Sequence, residues 1–141
     1  YLEKYGSKRP NIILVEPQES AGVYESFKSK KRTNPKVSRK TIAQSLNCGK
    51  PSLSSWVIIQ SGCDGCIKVD DADIIAAKNI YLNSKGNDPK IFSGASGAVG
   101  LAGLLKCLND KKFGNMKKHI GLGPNSKVLL FNSEGTLFDN L

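Results

Sequence analysis

The residues best suited to chemistry form a glycine-rich turn at positions 93–100, with the sequence Ser-Gly-Ala-Ser-Gly-Ala-Val-Gly. Glycines let a backbone turn tightly and approach another group closely. If a helix begins there, its free N–H groups and positive dipole end can hold an anion or a polar ring atom. The same pattern is also typical of a tight strand-to-helix turn that binds no ligand.

The segment after this turn, residues 98–108, is apolar on nearly all sides, which predicts a buried helix. Ser96 is suited to cap that helix, because its side-chain oxygen can accept a hydrogen bond from an N–H group of the first turn. We therefore expect Ser96 at the N-cap, with Gly94 and Gly97 beside it.

Cys63 and Cys66 have the spacing of a redox site or of half a zinc site. No second pair has a matching spacing, and the single histidine, His119, lies far away in the sequence. Two small residues at the start of a strand explain the pair as well. Because nothing indicates secretion, we expect reduced thiols and no metal site.

The composition is that of one globular domain, with 141 residues, 39% of them hydrophobic and 23% charged. No apolar run is long enough to span a bilayer, so we expect no membrane association. The N-terminus lacks a starting methionine and the apolar core of a signal peptide. We expect a cytoplasmic protein in which residues 1–10 are an extension or the start of a fragment.

Much of the net charge of +9 lies in a basic segment from Lys28 to Lys40, which contains no acidic residue. Such a segment can bind nucleic acid. It has no interleaved aromatic residues, and Thr33-Asn34-Pro35 indicates a loop, so a solvated basic loop is the favoured interpretation. A non-enzymatic basic binding module is kept as an alternative function.

The remaining sequence alternates between predicted strands and helices. Apolar runs predict strands buried on both faces at residues 11–15, 65–69 and 127–131. Helical spacing predicts helices at residues 18–27, 54–61, 98–108 and 113–120, and one from Asp70 or Asp71 to about Leu82. Ser52 is expected to cap the second of these helices. The order predicts an α/β fold in three αβα layers around a mostly parallel sheet.

Two polar turns, at residues 93–97 and 132–136, follow extended segments at their carboxyl ends. In parallel sheets, ligands collect beyond the carboxyl ends of the strands. The sequence therefore favours a ligand site formed by these two turns.

Several segments match a known family in order and spacing. They are Val15-Glu16-Pro17, residues 41–52 with Cys48-Gly49 and Pro51-Ser52, residues 93–101, and residues 128–135 with the sequence Val-Leu-Leu-Phe-Asn-Ser-Glu-Gly. Together they resemble the C-terminal part of the diaminopropionate ammonia-lyase family, pyridoxal-phosphate enzymes of the tryptophan synthase β and threonine dehydratase fold type. The resemblance implies that residues 11–141 are the C-terminal part of the large domain of a fold type II enzyme.

The resemblance also implies an activity and a cofactor. A complete enzyme would eliminate ammonia from 2,3-diaminopropionate, giving pyruvate and ammonia, with pyridoxal phosphate as the electron sink. A hydroxyl placed like that of Ser133 hydrogen-bonds the pyridine nitrogen, and Gly135 lets the backbone pass near the ring.

The resemblance implies a further wall of the cofactor pocket in the turn that contains Gly94, Ser96 and Gly97. On the substrate side, Ser45 and Cys48 are weaker candidates.

This chain departs from the family at several positions. Ala95 stands where the family has a glutamate that faces the cofactor, which leaves room for a different eliminase or dehydratase. Ser45 replaces a glycine, and the acidic turn after Ser-Glu-Gly is replaced by residues 136–139, Thr-Leu-Phe-Asp. A degenerate relative that has lost the chemistry is therefore a further alternative.

The lysine that forms the Schiff base with the cofactor, and the glycine-rich phosphate cradle, belong to the N-terminal part of the family's enzymes. No lysine here can be assigned that role by motif, so we predict that this chain alone has no lyase activity. We also predict a homodimer or a missing N-terminal half as partner, since an isolated piece would expose a sheet edge and an apolar face.

Overall fold

The computed structural model describes residues 2–35 and 40–136. Two strands and six α-helices lie within these ranges, joined by short 3-10 turns. The elements are α1 (Leu2–Tyr5), β1 (Ile13–Pro17), α2 (Gly22–Ser29), α3 (Leu53–Gly62), β2 (Gly65–Val69), α4 (Asp71–Leu82), α5 (Ala95–Asn109) and α6 (Gly114–His119). Parts of two sequence features, residues 36–39 of the basic segment and residues 137–139 of the turn after Ser-Glu-Gly, lie outside the described residues.

β1 and β2 form a parallel pair, with Ile13 opposite Gly65 and Pro17 opposite Val69. β2 has the predicted bounds, whereas β1 lies two residues later than predicted. The strand continues past Val15, the last residue of the apolar run, because Glu16 and Pro17 still pair with Lys68 and Val69 of β2.

The helices cover both faces of this sheet, because successive strand residues point to opposite sides. On one face Ile67 and Val69 are buried in a core that includes residues of α4 and α5. On the other face Lys68 reaches α2, where its Nζ is 3.4 Å from Glu25 Oε1 and 4.3 Å from the centre of the Tyr24 ring. The predicted three-layer α/β arrangement with a parallel sheet is confirmed.

α5 is the central helix of this core and, at 15 residues, the longest in the described part of the chain. Its buried face is made of small residues, so the sheet packs close to the helix axis. A Cβ at Gly103, for example, would lie 2.7 Å from Val15 Cγ1. Among the described residues, no helix is both long and apolar enough to cross a membrane.

The N-terminus of α4 is fixed by two of its own aspartates. Asp70 Oδ1 accepts from the Asp73 N–H at 3.0 Å, and Asp73 Oδ2 accepts from the Asp70 N–H at 2.9 Å. The predicted start of this helix is confirmed. Ser52 likewise caps α3 as predicted, since its Oγ accepts from the Ser55 N–H at 3.1 Å.

The predicted helix at residues 18–27 is shifted, because residues 18–20 form a 3-10 turn and α2 begins at Gly22. The cause is a carboxylate from the preceding strand. Glu16 accepts from the N–H groups of Val23 and Tyr24 at 3.0 and 2.7 Å, which fixes the first turn of α2 there. Burial raises the pKa of Glu16.

The predicted buried strand at residues 127–131 is wrong. The segment has no ladder partner among the described residues, and Leu129 and Phe131 are 70% and 78% exposed. An apolar run becomes a strand only where a neighbouring strand pairs its N–H and C=O groups. The nearest pairing is a single antiparallel bridge between Ser93 and Gly135.

Candidate functional site

The two polar turns that the sequence singled out lie against each other at the start of α5. The Gly94 N–H donates to the Glu134 carbonyl at 2.9 Å, beside the bridge between Ser93 and Gly135. The Ser93 hydroxyl also donates to Asn132 Oδ1 at 3.2 Å. Residues 132–135, which we call the docked segment, are thus held along the first turn of α5.

Gly94 and Gly97 make room for this docked segment. A Cβ at Gly94 would lie 2.5 Å from the Gly135 carbonyl oxygen, and one at Gly97 would lie 2.7 Å from the Glu134 carbonyl oxygen. Real Cβ atoms essentially never come so close, so both positions require glycine. The space beside the two glycines is filled by protein. By contrast, a Cβ at Gly135 would have its nearest neighbour at 3.9 Å.

Glu134 provides the acceptor at the N-terminus of α5. Its Oε1 accepts from the Ser96 N–H at 3.0 Å, and its Oε2 accepts from the Ser45 hydroxyl. Glu134 was not among the site residues predicted from the sequence. One feature of the sequence could have indicated it. The first turn of α5 contains no acidic residue, so its N–H groups need an acceptor from another part of the chain.

The prediction that Ser96 is the N-cap is wrong, because Gly94 holds that position. α5 begins earlier than the apolar pattern indicates, so Ser96 lies inside the first turn rather than before it. Its Oγ atom is buried and has no hydrogen-bond partner among the described residues.

Ser133 lies in the docked segment between two anchored residues. Asn132 is held by the Ser93 hydroxyl, and Glu134 is held by backbone and side-chain contacts. Ser133 itself is exposed, and no described residue hydrogen-bonds its hydroxyl. The fold therefore presents an exposed hydroxyl between two residues that are hydrogen-bonded to the start of α5.

The loop at residues 41–47 lies beside the same site, at the carboxyl end of β2. The Thr41 hydroxyl donates to Asp71 Oδ1 at 2.5 Å, at the start of α4. Ala43 is fully buried in the core, and Ser45 contacts Glu134. Cys48 is exposed, with its Sγ 3.8 Å from the Ser45 carbonyl oxygen. The structure thus brings Ser45 into contact with the docked segment, and Cys48 contacts the backbone of Ser45.

Cys63 and Cys66 lie elsewhere, at the amino end of β2. They line a cleft of about 380 Å³ with residues of α2. Burial raises the pKa of both thiols, and the Glu16 carboxylate raises that of Cys66 further. The thiolate is the reactive form, so these thiols are poor nucleophiles. No cluster of three metal-ligating side chains occurs in the described ranges.

The described part of the basic segment shows mixed behaviour. Lys28, Lys30, Lys31 and Lys40 are exposed, as a solvated loop requires. Arg32 instead donates to the Pro51 carbonyl at 3.2 Å.

The chain matches the family model of pyridoxal-phosphate dependent enzymes over residues 1–121. The chain belongs to this family. It is similar to diaminopropionate ammonia-lyase of Salmonella typhimurium, with 31% identity over 96% of this chain and 34% of that protein. The same enzyme of Escherichia coli K12 is 28% identical over 95% of this chain and 34% of that protein. The chain thus spans about a third of the length of these curated relatives.

Solved structures agree with the fold. The holo diaminopropionate ammonia-lyase of Escherichia coli superposes with a TM-score of 0.82, at 26% identity, over 99% of this chain and 34% of that one. Serine racemase of Dictyostelium discoideum gives 0.66 at 26% identity, over 90% of this chain and 35% of that one. A fungal L-serine ammonia-lyase from Rhizomucor miehei gives 0.71 at 19% identity, over 95% of this chain and 39% of that one, and shows the fold alone. The chain has the fold of fold type II pyridoxal-phosphate enzymes.

The docked segment and its neighbours fit one side of this cofactor. A pyridine nitrogen needs a single hydrogen-bond partner, and the exposed Ser133 hydroxyl is available for it. A phosphate needs free N–H groups at a helix N-terminus. At α5 the N–H groups of Gly94 and Ser96 are already bonded to Glu134. The exposed Ser133 hydroxyl therefore fits a partner of the ring nitrogen, whereas the N–H groups of Gly94 and Ser96 are not available to the phosphate.

Proposed function

We propose that this chain is the C-terminal portion of a pyridoxal-phosphate-dependent ammonia-lyase that acts on 2,3-diaminopropionate. The observation that carries the proposal is the free, exposed hydroxyl of Ser133, held between two anchored residues at the start of α5. The likeness to diaminopropionate ammonia-lyases in sequence and in structure supports the choice of substrate.

In the proposed reaction, 2,3-diaminopropionate and water give pyruvate, and both amino groups leave as ammonia. The bound cofactor supplies the electron sink for the substrate. Ser133 would donate a hydrogen bond from its hydroxyl to the ring nitrogen and keep its proton. A neutral hydroxyl there, rather than a carboxylate, favours an unprotonated ring, which moderates carbanion stabilisation and suits β-elimination.

The other site residues would shape the pocket around this contact. Gly94, Ser96 and Gly97 would form the wall beside the ring together with the docked segment that packs on them, and Gly135 would contribute to this wall from within that segment. Ser45 and Cys48 would face the substrate side, and Ser45 is joined to this wall through Glu134.

The isolated chain is proposed to be inactive, because covalent catalysis needs a lysine amine that no motif assigns here. The test is a pyruvate assay on the purified 141-residue chain with pyridoxal phosphate and 2,3-diaminopropionate. No pyruvate above the protein-free rate is expected, and robust turnover would overturn the inactivity.

The role of Ser133 is tested in the complete polypeptide. Ser133→Ala should lower kcat/KM for 2,3-diaminopropionate about 10- to 100-fold, because the variant loses the hydrogen bond to the ring nitrogen of the cofactor. Ser133→Thr keeps the hydroxyl and should restore most of the loss. Ser7→Ala, at an exposed serine in the turn after α1, is the matched control and should have no effect.

The substrate is tested in the same assay with serine and threonine in place of 2,3-diaminopropionate. We expect 2,3-diaminopropionate to be the preferred substrate by kcat/KM. A clear preference for a hydroxy amino acid would replace the lyase by a dehydratase and leave the family membership unchanged.

We also propose that the exposed apolar surface is covered, by a second copy or by the part of the relatives' length that this chain does not span. Leu129 and Phe131, and Ile58 on α3, are each at least 70% exposed. Exposed apolar patches of this kind mark interaction surfaces. Sedimentation of the 141-residue chain should show a dimer or a larger assembly, and Leu129→Ser with Phe131→Ser should shift it toward monomer. A wild-type chain that sediments as a clean monomer contradicts this proposal.

A further inference from the structure

The side chain of Glu134 joins separate parts of the chain at the candidate site. One carboxylate oxygen accepts from the Ser96 N–H of α5, and the other accepts from the Ser45 hydroxyl of the substrate-side loop. Its carbonyl oxygen accepts from the Gly94 N–H. The glycine at position 94 is needed for this arrangement, since a Cβ there would lie 2.6 Å from Glu134 Oε1.

These contacts determine where the next residue, Ser133, can lie. Ser133 has no contact of its own that would orient its hydroxyl, so its position depends on its neighbours. On one side Asn132 is bonded to Ser93 by a single neutral hydrogen bond of 3.2 Å. On the other side Glu134 is bonded to two separate elements through a carboxylate, and hydrogen bonds to charged groups are the stronger kind.

The position of the carboxylate is also favourable electrostatically. The first turn of α5 has no acidic residue and no side-chain cap of its own. A negative charge at a helix N-terminus is stabilising. This interaction with the N-terminus of α5 stabilises the docked position of Glu134. Because Glu134 belongs to the docked segment, it also stabilises the position of that segment.

We propose that Glu134 is a positioning residue, which aims the Ser133 hydroxyl at the cofactor ring and links that contact to the substrate-side loop through Ser45. This inference rests on the proposed function, because it assigns Ser133 the ring contact. Glu134 acts through Ser133 and has no direct contact with the ring.

The test is a titration of pyridoxal phosphate into the cofactor-free complete polypeptide, followed by absorbance. Glu134→Ala should weaken cofactor binding about 10-fold or more, as expected for the loss of hydrogen bonds to a charged group. It should also change the spectrum of the bound cofactor in the same direction as Ser133→Ala, which a mere loss of stability would not do. Glu134→Gln keeps an acceptor for the Ser96 N–H and should stay within about 3-fold of wild type. Glu3→Ala, at an exposed glutamate of α1, is the control and should match wild type.

A double variant separates positioning from an independent effect. If Glu134 acts through Ser133, Glu134→Ala should have little further effect on cofactor affinity once Ser133→Ala is present. Additive losses would overturn the positioning role. In the cofactor-free protein, Glu134→Ala should also speed hydrogen exchange at the Ser96 amide, and unchanged exchange would count against the contact itself.

The outcomes distinguish this inference from the proposed function. If Ser133→Ala weakens cofactor binding and Glu134→Ala does not, only the positioning role is wrong. If Ser133→Ala leaves affinity and spectrum unchanged, the proposed ring contact is wrong and the positioning role is wrong with it. Should Glu134→Ala fail to fold, Glu134→Asp replaces it: the shorter side chain keeps the charge but cannot reach both partners, so binding as tight as wild type would overturn the inference.

Discussion

The N-termini of α4 and α5 are both capped by carboxylates, but the carboxylates come from very different places. At α4 the capping residue Asp70 and its partner Asp73 are three residues apart. At α5 the acceptor is Glu134, which is 38 residues beyond the Ser96 N–H that it bonds. The first cap is local, and the second exists only after the chain has folded back on itself.

This difference bears on function. A local cap stabilises its own helix, and at α4 it is reinforced by Lys106, whose Nζ is 3.2 Å from Asp70 Oδ2. The distant cap at α5 also fixes a second segment in place, and that segment carries Ser133. If the inference above is correct, capping α5 from a distance also helps to position the Ser133 hydroxyl, together with the hydrogen bond between Ser93 and Asn132.

The largest loss of stability is expected when a side chain is placed in the space that the docked segment occupies. Gly97→Ala would place a Cβ 2.7 Å from the Glu134 carbonyl oxygen and still closer to Asn132 Oδ1. The docked segment would have to move, and overpacking of this kind should lower the free energy of unfolding by about 2 kcal/mol. Urea unfolding followed by circular dichroism measures the change.

Gly100→Ala is the matched control for this variant. It is the same substitution in the same helix, but its Cβ would meet its nearest atoms at 3.8 and 4.0 Å. The better helix propensity of alanine should raise the free energy of unfolding by up to about 1 kcal/mol. Equal effects at positions 97 and 100 would contradict the close docking.

A smaller effect is expected from removing the local cap. Asp70→Ala deletes the acceptor for the Asp73 N–H and should lower the free energy of unfolding by about 1 kcal/mol. Asp88→Ala, at an exposed aspartate in the turn after α4, is the control and should change it by less than about 0.5 kcal/mol. Urea unfolding of both variants measures how much the local cap contributes to the free energy of unfolding.

The loss caused by Asp70→Ala should depend on pH. The hydrogen bond from the Asp73 backbone N–H, and then the contact with Lys106, lower the pKa of Asp70 below its ordinary value of 3.8. A lowered pKa in the folded state stabilises the fold above the ordinary pKa, and this contribution is lost as pH falls through the folded-state pKa. The difference between wild type and Asp70→Ala should therefore be full at neutral pH and shrink below pH 3.8. A difference that stays constant into acid would show that the carboxylate charge is not involved.

The smallest effect is expected at the serine that the sequence suggested as a cap. Ser96→Ala removes a buried hydroxyl that has no partner among the described residues, and alanine is a good helix former. The free energy of unfolding should change by less than about 0.5 kcal/mol or increase slightly. Ser52→Ala in α3 should instead lower it by about 1 kcal/mol, because the Ser55 N–H loses its acceptor. If Ser96→Ala is the more damaging of the two, the assignment of Gly94 as N-cap is wrong.

Much of the fold was predictable because its signals are local. β2 was predicted with its bounds, α4 was predicted to begin at Asp70 or Asp71, and α3 was predicted with its capping serine. The errors occurred where a distant partner decides the outcome. Residues 127–131 have a strand-like composition but no neighbouring strand among the described residues, and α2 begins where the Glu16 carboxylate meets it.

The resemblance to the family suggested Ser133 and Gly135, whereas residue patterns by themselves determined the alternation of β1, α2, α3, β2, α4 and α5 and the two polar turns. These depend on residue types and on spacings of a few positions, which local physics converts directly into structure. Only the tertiary structure decided that the two turns meet, that Gly94 and Gly97 accommodate the docked segment, and that Glu134 caps α5. Those contacts join residues far apart in the sequence, 38 positions in the case of Ser96 and Glu134, and the packing of the whole chain brings them within hydrogen-bond distance.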